Sequence, residues 1–357
     1  MSYFAIMNKA LVDLYKLGGN SYNGLYHYCY QMGFHMAANP PEDLELTLYV
    51  PKKKVGLFGD NVKYAVQRSR DKFYKFGTGK YDIWHVATTI SWYRPFNSRT
   101  KTILTIHDLN FLDQDEFSAA GRRRYLRLTQ EKVRRADYLT FISEFARQQA
   151  AQHMDLHNKP YRIIYNGCNA PLDDHHFHEP KEKPSRPFLF AIGQLHSRKN
   201  FHVLPALLTN NDYDLVLAGM KDFNYVEKIK GEAKRLGVAD RVHLVGPVSN
   251  EEKFWYYQHC LAFCFPSKAE GFGLPVLEAM HFGKPVFISR FTSLPEIGGK
   301  AAYYFDSFEP EGMREVFEKG MNDYTNNQRM AAIKKHADSF SWGKAVQEYL
   351  DVYRKLL

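Results

Sequence analysis

Two glutamates eight positions apart, Glu270 and Glu278, bracket Gly271, Phe272, Gly273, Leu274, Pro275, Val276 and Leu277. The apolar run 261–265 before them is short enough for a buried strand, Pro275 suits the first turn of a helix, and Gly283 suits its end. The spacing therefore predicts a strand, a glycine loop and a helix over 275–282. Free N–H groups and the positive dipole end at such a helix start favour a phosphate, and glycines let a ligand approach the backbone closely. Glu270 follows the strand as a carboxylate able to accept hydrogen bonds from two neighbouring hydroxyls, as a sugar presents them. Glu278, one turn into the helix, lies where it can reach the hydroxyls of a ribose whose phosphates sit at the helix start. Alone, each glutamate reads as a cap or dipole partner; their combination with the loop points to a ligand.

A second group follows the apolar run 188–192. Gly193 opens a polar turn that carries the adjacent cations Arg198 and Lys199. A departing nucleoside diphosphate gains negative charge, so fixed cations stabilise the transition state more than the ground state, Arg198 bidentately and Lys199 as a point charge. Taken alone, an Arg-Lys pair is a solvated turn.

These groups need a scaffold. With 357 residues the chain exceeds what one core usually serves, so two domains are expected. Apolar runs alternate with helical patterns, which predicts an α/β protein with parallel sheets. Strands are expected at 45–50, 83–87, 102–106 and 138–142, and helices at 118–136 and 143–153 with Ser118 and Ser143 as N-caps. After a polar, proline-rich stretch a second series follows. It has strands at 188–192, 215–219, 242–245, 261–265 and 285–289 and helices near 203–208, 225–236, 254–259 and 275–282. The domains are drawn as 1–170, a linker at 171–185, 186–338, and a last helix at 339–357. In doubly wound sheets ligands bind beyond the carboxyl ends of the strands, where strand order reverses.

Charge is distributed unevenly. Residues 1–170 hold 24 basic and 15 acidic side chains, while the remainder holds 24 of each, so the whole excess of +9 lies in the first half. That points either to a solubilising helix surface or to an anionic partner for the first domain, a phosphorylated acceptor or an anionic membrane surface, with no module pattern for nucleic acid. Much of the excess falls in Arg122, Arg123, Arg124, Arg127, Lys132, Arg134 and Arg135. No run approaches the ~20 apolar residues of a membrane span, and the sequence reads as cytoplasmic. Cys29, Cys168, Cys260 and Cys264 form neither a zinc pattern nor a disulfide framework and are expected to pack as small apolar residues. Asp113 and Asp115 form a D-x-D pattern and His175, His176 and His178 a histidine cluster. Both are read as surface loop, and no metal or cofactor is expected.

The motif from Glu270 to Glu278, continued by Gly283, Pro285, Ser293, Pro295 and Glu296, resembles the retaining GT-B glycosyltransferases of family 4. So do Ser197 to Asn200, Ala218-Gly219, 242–246 and Phe340-Ser341-Trp342. The resemblance implies two Rossmann-like domains facing across a cleft, a basic acceptor domain first and a donor domain second, with the last helix crossing back to the first. It implies that Glu270 and the Gly271–Gly273 amides hold the donor sugar, Leu274, Pro275 and Val276 the diphosphate, and Glu278 the ribose. Arg198 and Lys199 would be diphosphate cations, and Gly246, Pro247 and Val248 would pack the base. His107 matches the family's strand-end histidine facing the donor sugar. For the N-terminal glycine loop, Gly19 is favoured over the alternative at Gly24. Gln194 departs from the pattern, where many members carry arginine.

What the resemblance implies is metal-independent, retaining transfer of a hexose from a GDP- or UDP-sugar, with a lean to GDP-mannose. The acceptor would be a glycan or a lipid-linked, anionic molecule of surface polysaccharide or lipopolysaccharide synthesis, with the protein peripheral at the inner membrane face. Rival readings are a sugar-nucleotide epimerase or phosphorylase on the same scaffold, and a non-catalytic nucleotide-sugar-binding module.

Overall fold

The computed structural model describes residues 7–19, 24–73, 78–95, 99–112, 118–169, 171 and 177–357. The chain divides into two compact units, Met1–Gly167 with Ser341–Leu357, and Cys168–Phe340.

The first unit contains β1 (Asn8–Asp13), α1 (Gly24–Ala38), β2 (Leu44–Val50), β3 (Lys63–Val66), β4 (Ile83–Val86) and β5 (Lys101–Ile106). It continues with α2 (Ala119–Arg135), β6 (Tyr138–Phe141), α3 (Glu144–His153) and β7 (Tyr161–Ile163). Its sheet is parallel, in the order β3-β2-β1-β4-β5-β6-β7. The second unit contains β8 (Phe188–Ile192), β9 (Asp214–Ala218), α4 (Phe223–Arg235), β10 (Val242–Gly246), α5 (Asn250–His259) and β11 (Ala262–Phe265). There follow α6 (Leu274–His281), β12 (Val286–Ser289), α7 (Leu294–Gly298), β13 (Tyr303–Phe305), α8 (Pro310–Asn326) and α9 (Met330–Asp338). This sheet is also parallel, ordered β10-β9-β8-β11-β12-β13. In both sheets the chain winds to one edge and then returns to the other side of its first strand. The order therefore reverses between β1 and β4, and between β8 and β11.

The inner strands β2, β4, β6, β8, β9, β11 and β12 are buried on both faces, which is why they read as continuous apolar runs rather than alternating ones, while the edge strands β3, β7, β10 and β13 are only partly covered. Ser118 and Ser143 cap α2 and α3 through Gly121 N–H and Ala146 N–H. One expected helix is corrected: residues 201–208 form a 3₁₀ segment, Phe201–Leu208, with Pro205 inside it. Proline lacks the N–H an α-helix needs and crowds the preceding turn. Helix α5 begins ahead of the expected 254, because Ser249 and Glu252 form a capping box at its start.

The last helix, α10 (Trp342–Leu356), belongs to the first unit. It buries Trp342, Val346, Tyr349, Leu350 and Tyr353 there. The Tyr28 hydroxyl bonds Tyr349 at 2.8 Å, and His85 bonds the Tyr353 hydroxyl at 2.6 Å and Thr105 at 2.7 Å. In the second unit, Phe177 packs against Phe254 and Phe282, and the Tyr256 hydroxyl donates to Glu182 O. Cys29, Cys260 and Cys264 are buried and unbridged. No helix among the described residues is long and apolar enough to cross a membrane.

Candidate functional site

The predicted groups of the second unit converge beyond the carboxyl ends of its strands. Gly193 follows β8, and the loop to Gly273 follows β11, so the two flank the position where strand order reverses, the usual ligand crevice of such a sheet. Backbone ties the loops together: Lys268 N–H donates to Arg198 O at 2.8 Å.

Glu270 is held on this loop by several partners. Its Oε1 accepts from Lys199 Nζ at 2.5 Å and from Ser267 Oγ at 2.6 Å. Its N–H donates to Thr292 Oγ1 at 3.0 Å, and its carbonyl accepts from Ser293 Oγ at 3.0 Å. Ser293 Oγ also reaches Phe272 O at 2.9 Å. Lys199 thus lies on the carboxylate, with its ammonium 4.7 Å from the Phe265 ring centroid. Gly193, at φ +152°, makes room for it: a β-carbon there would come within 3.1 Å of Lys199 Cε. Arg198 is half-buried and, among the described residues, makes no ion pair. Gln194, where many family members carry arginine, is exposed.

Helix α6 starts at Leu274 behind Gly273, whose φ of +112° is open to glycine and strained for other residues; Pro275 stands in its first turn and no side chain caps it. Pro275 has no N–H and Val276 N–H donates to Gly273 O at 2.9 Å, so what this helix start offers an anion is chiefly the positive end of its dipole. Leu274 and Pro275 are half-buried, Val276 is buried, and Phe272 packs edge-on against Phe340. Gly246, at φ +79°, ends β10; its carbonyl accepts from Gly219 N–H at 2.7 Å, with Pro247 exposed and Val248 half-buried.

Glu278 is only 4% exposed and both its oxygens are engaged. Lys253 Nζ donates to Oε1 at 2.9 Å and the Tyr257 hydroxyl to Oε2 at 3.0 Å. These two partners escaped the sequence reading. They stand four apart on α5, a spacing that shows a shared helix face but not the glutamate it meets. Ser267 and Ser293 lie within the stretches that the sequence singles out, but their part in fixing the loop, like that of Thr292, comes from contacts that only folding makes.

Two predicted residues belong to the first unit. His107 follows β5, is buried, and bonds Ala87 O through Nε2 at 2.9 Å; burial lowers its pKa to about 4. A carbonyl only accepts, so Nε2 carries the proton and the ring is neutral at pH 7. Gly19 has φ −95°, open to any residue, and its N–H is spent on Lys16 O. Asn20 of this candidate loop and Asn23 of the alternative lie outside the described residues, as do Asp113, Asp115, His175 and His176, while Gly24, Leu25 and Tyr26 of the alternative open α1. Where the order of the first sheet reverses, Asp13 of β1 is wholly buried. It accepts from Ser91 Oγ and from Gln67 Nε2, and Lys132 Nζ bonds the Ser91 carbonyl at 2.7 Å. Burial raises Asp13 to about 7 and lowers Lys132 to about 8.

Two family models match the chain: Glycosyltransferase Family 4 over residues 34–172 and Glycosyl transferases group 1 over residues 173–337. Serotype-specific mannosyltransferase WbdA of Escherichia coli is 28% identical over 279 residues, a match covering 72% of this chain and 34% of that protein. The chain thus spans about a third of the length of that relative. O-antigen chain mannosyltransferase B of Escherichia coli is 26% identical over 275 residues, covering 72% of this chain and 71% of that one. Among solved structures, Anabaena Alr3699/HepE in complex with UDP and glucose superposes with a TM-score of 0.68 at 17% identity, covering 98% of this chain and all of that one. With two parallel doubly wound sheets and both family models placed end to end along it, the chain belongs to the GT-B glycosyltransferases of family 4.

Proposed function

We propose that the chain transfers a mannosyl group from GDP-mannose to a glycan or lipid-linked acceptor of surface polysaccharide or lipopolysaccharide synthesis. Transfer retains the anomeric configuration and uses no metal. The observation that carries the reading is the Ser267–Glu270–Lys199 cluster beside the uncapped start of α6, where strand order reverses. It offers a fixed carboxylate for sugar hydroxyls next to a seat for a diphosphate. The names of the two relatives, both mannosyltransferases and one an O-antigen chain enzyme, support the sugar and the acceptor class.

In this reading Glu270 accepts from hydroxyls distal to the anomeric carbon, and Lys199 keeps it oriented. The bond from the anomeric carbon to the diphosphate breaks as the bond to the acceptor oxygen forms on the same face. A leaving phosphate oxygen takes the acceptor proton. Charge growing on the diphosphate is met by the positive end of the α6 dipole and by Arg198. His107, neutral with Nε2–H on Ala87 O, contributes an Nδ1 acceptor rather than an acid.

A thermal-shift comparison of nucleotide sugars tests the donor, since selective binding raises the melting temperature. GDP-mannose is expected to give the largest shift, and proton NMR of the product to show an α-linkage. A larger shift with a UDP-sugar overturns the donor. Inversion, loss of turnover in EDTA restored by manganese, or a glycosyl adduct trapped on Glu270 overturns the mechanism. Glu270→Ala is expected to lower kcat at least about 100-fold, as losing a fixed polar group at the reacting centre does.

A further inference from the structure

The largest basic cluster in the sequence is on α2, but α2 is poorly made for a surface partner. Arg134 and Arg135 are engaged by Glu131 at 3.2 and 3.5 Å, and its one well-exposed large apolar side chain is Tyr125. A different face of the first unit combines charge with exposed apolar surface. Tyr26, Tyr30 and Phe34 stand four apart on α1 and stack in sequence, with centroids 6.4 Å apart at each step. Against this ladder lies the segment that leaves β2. Lys54 Nζ bonds the Tyr26 hydroxyl and lies 5.4 Å from its ring centroid; Phe58 packs on Tyr30 and presses on Gly33, where a β-carbon would clash with it at 2.5 Å.

Between those anchors the chain makes a type II turn over Lys54, Val55, Gly56 and Leu57. Val55 has φ −64° and ψ 131°, Gly56 has φ +82°, and Leu57 N–H returns to Lys54 O. The turn holds two aliphatic side chains out, Val55 48% and Leu57 38% exposed, and Phe34, at the end of the stacked ladder, is 47% exposed. Lys52 and Lys53 are exposed immediately before it. Asp60 is the only acidic residue between positions 51 and 63.

We infer that this face, Lys52–Lys54 with Val55, Leu57 and Phe34, docks the first unit on an anionic lipid bilayer. The lysines meet the negative leaflet, the aliphatic tip enters the boundary between headgroups and acyl chains, and the tyrosines sit at headgroup depth. A soluble phosphorylated glycan would satisfy the lysines but gives no reason for exposed valine, leucine and phenylalanine; a bilayer accounts for both. The turn leaves the carboxyl end of β2, so the docked face lies on the edge of the sheet where ligands of doubly wound units bind. This goes beyond the transfer reaction and does not depend on it.

The test is co-sedimentation of the full chain with vesicles of phosphatidylcholine, with and without phosphatidylglycerol. Binding to the mixed vesicles only is expected, weakened by salt. Each lysine near an anionic surface contributes about a fivefold gain in partition, so K52A/K53A/K54A should weaken binding about 100-fold. V55D/L57D should weaken it as well, and R123A/R124A/R127A on α2 should weaken it less than either. Circular dichroism and melting temperature show whether each variant is folded; V55S/L57S replaces the aspartates if they disturb the turn. Equal binding to both vesicle types, wild-type binding by both turn variants, or displacement of vesicles by soluble sugar phosphate would overturn the inference. Catalysis is not read, so failure here is distinct from failure of the proposed reaction.

Discussion

Each glutamate of the motif is held by a lysine from elsewhere in the second unit: Glu270 by Lys199 and Glu278 by Lys253. In both pairs the lysine also lies over a phenylalanine ring, Phe265 and Phe254. The carboxylates are thus neutralised before any ligand arrives, which keeps two acids from repelling a diphosphate placed between them. The pairing has a measurable consequence. Lys253→Met strands a buried carboxylate on Tyr257 alone and is expected to cost about 3–5 kcal/mol in chemical denaturation. Lys253→Met with Glu278→Met removes both charges and should recover most of that loss without restoring nucleotide binding. A double variant as unstable as the single one would show that the ion pair is not what Lys253 supplies.

Three neighbouring strands, β8, β9 and β10, end in Gly193, Gly219 and Gly246, all with positive φ. A β-carbon on Gly219 would lie 1.9 Å from Gly193 O, so the close approach of two strand ends shapes the turn that carries Arg198 and Lys199. Gly219→Ala is expected to destabilise by about 1–3 kcal/mol or more and to weaken donor binding. Gly231→Ala, inside α4 with open space around it, should stabilise by roughly 0.5–1 kcal/mol. Equal effects at the two sites would refute the argument. These strand-end glycines, the glycine loop and the start of α6 were legible because strand, loop and helix are consecutive in the chain. Lys253 on Glu278 and Thr292 and Ser293 on the Glu270 loop were not, because they are brought together by folding. Strand β1 and helix α1 escaped for another reason. The strand has only Ala10, Leu11 and Val12 as an apolar run, between Lys9 and Asp13, and α1 buries tyrosine, cysteine and glycine alongside methionine and alanine, which blurs any apolar stripe. Element packing also sets a pH response. His85, between Thr105 of β5 and Tyr353 of α10, is lowered to about 3 by burial. Its contribution is present above the unfolded value near 6.5 and is lost as pH falls toward 3; at pH 4 the loss is on the order of 3 kcal/mol. Asp13, raised to about 7, acts in the opposite sense over that range, so the diagnostic is the difference between wild type and His85→Gln. That difference should shift in favour of the variant between pH 7 and pH 4; an unchanged difference in urea melts would reject the assignment.

Dividing the chain by its units sharpens the charge asymmetry: the first carries 27 basic and 17 acidic residues, the second 21 and 22. The units differ in continuity as well. The second is one uninterrupted segment, entered at Cys168 and left at Phe340, and Cys168 N–H bonds Phe340 O at 3.0 Å where the two passages meet. The first is split, and its last piece is structural. Trp342 packs where Gly167 leaves no room for a β-carbon, 2.1 Å from the Trp342 nitrogen, and α10 supplies the partners of Tyr28 and His85. Removing residues 341–357 would uncover Trp342's site and the seats of Val346, Tyr349, Leu350 and Tyr353. At about 1.5–3 kcal/mol for each of these five side chains that loss is roughly 8–15 kcal/mol, comparable to the whole stability of a domain. The first unit is therefore expected to lose cooperative folding on this truncation, while a fragment of residues 168–340 folds alone and keeps its nucleotide-sugar thermal shift. Cooperative melting of both units in the truncated chain, or a fragment that folds but gives no shift, would show that the last helix, or a residue outside the second unit, serves a different role from the one its contacts assign.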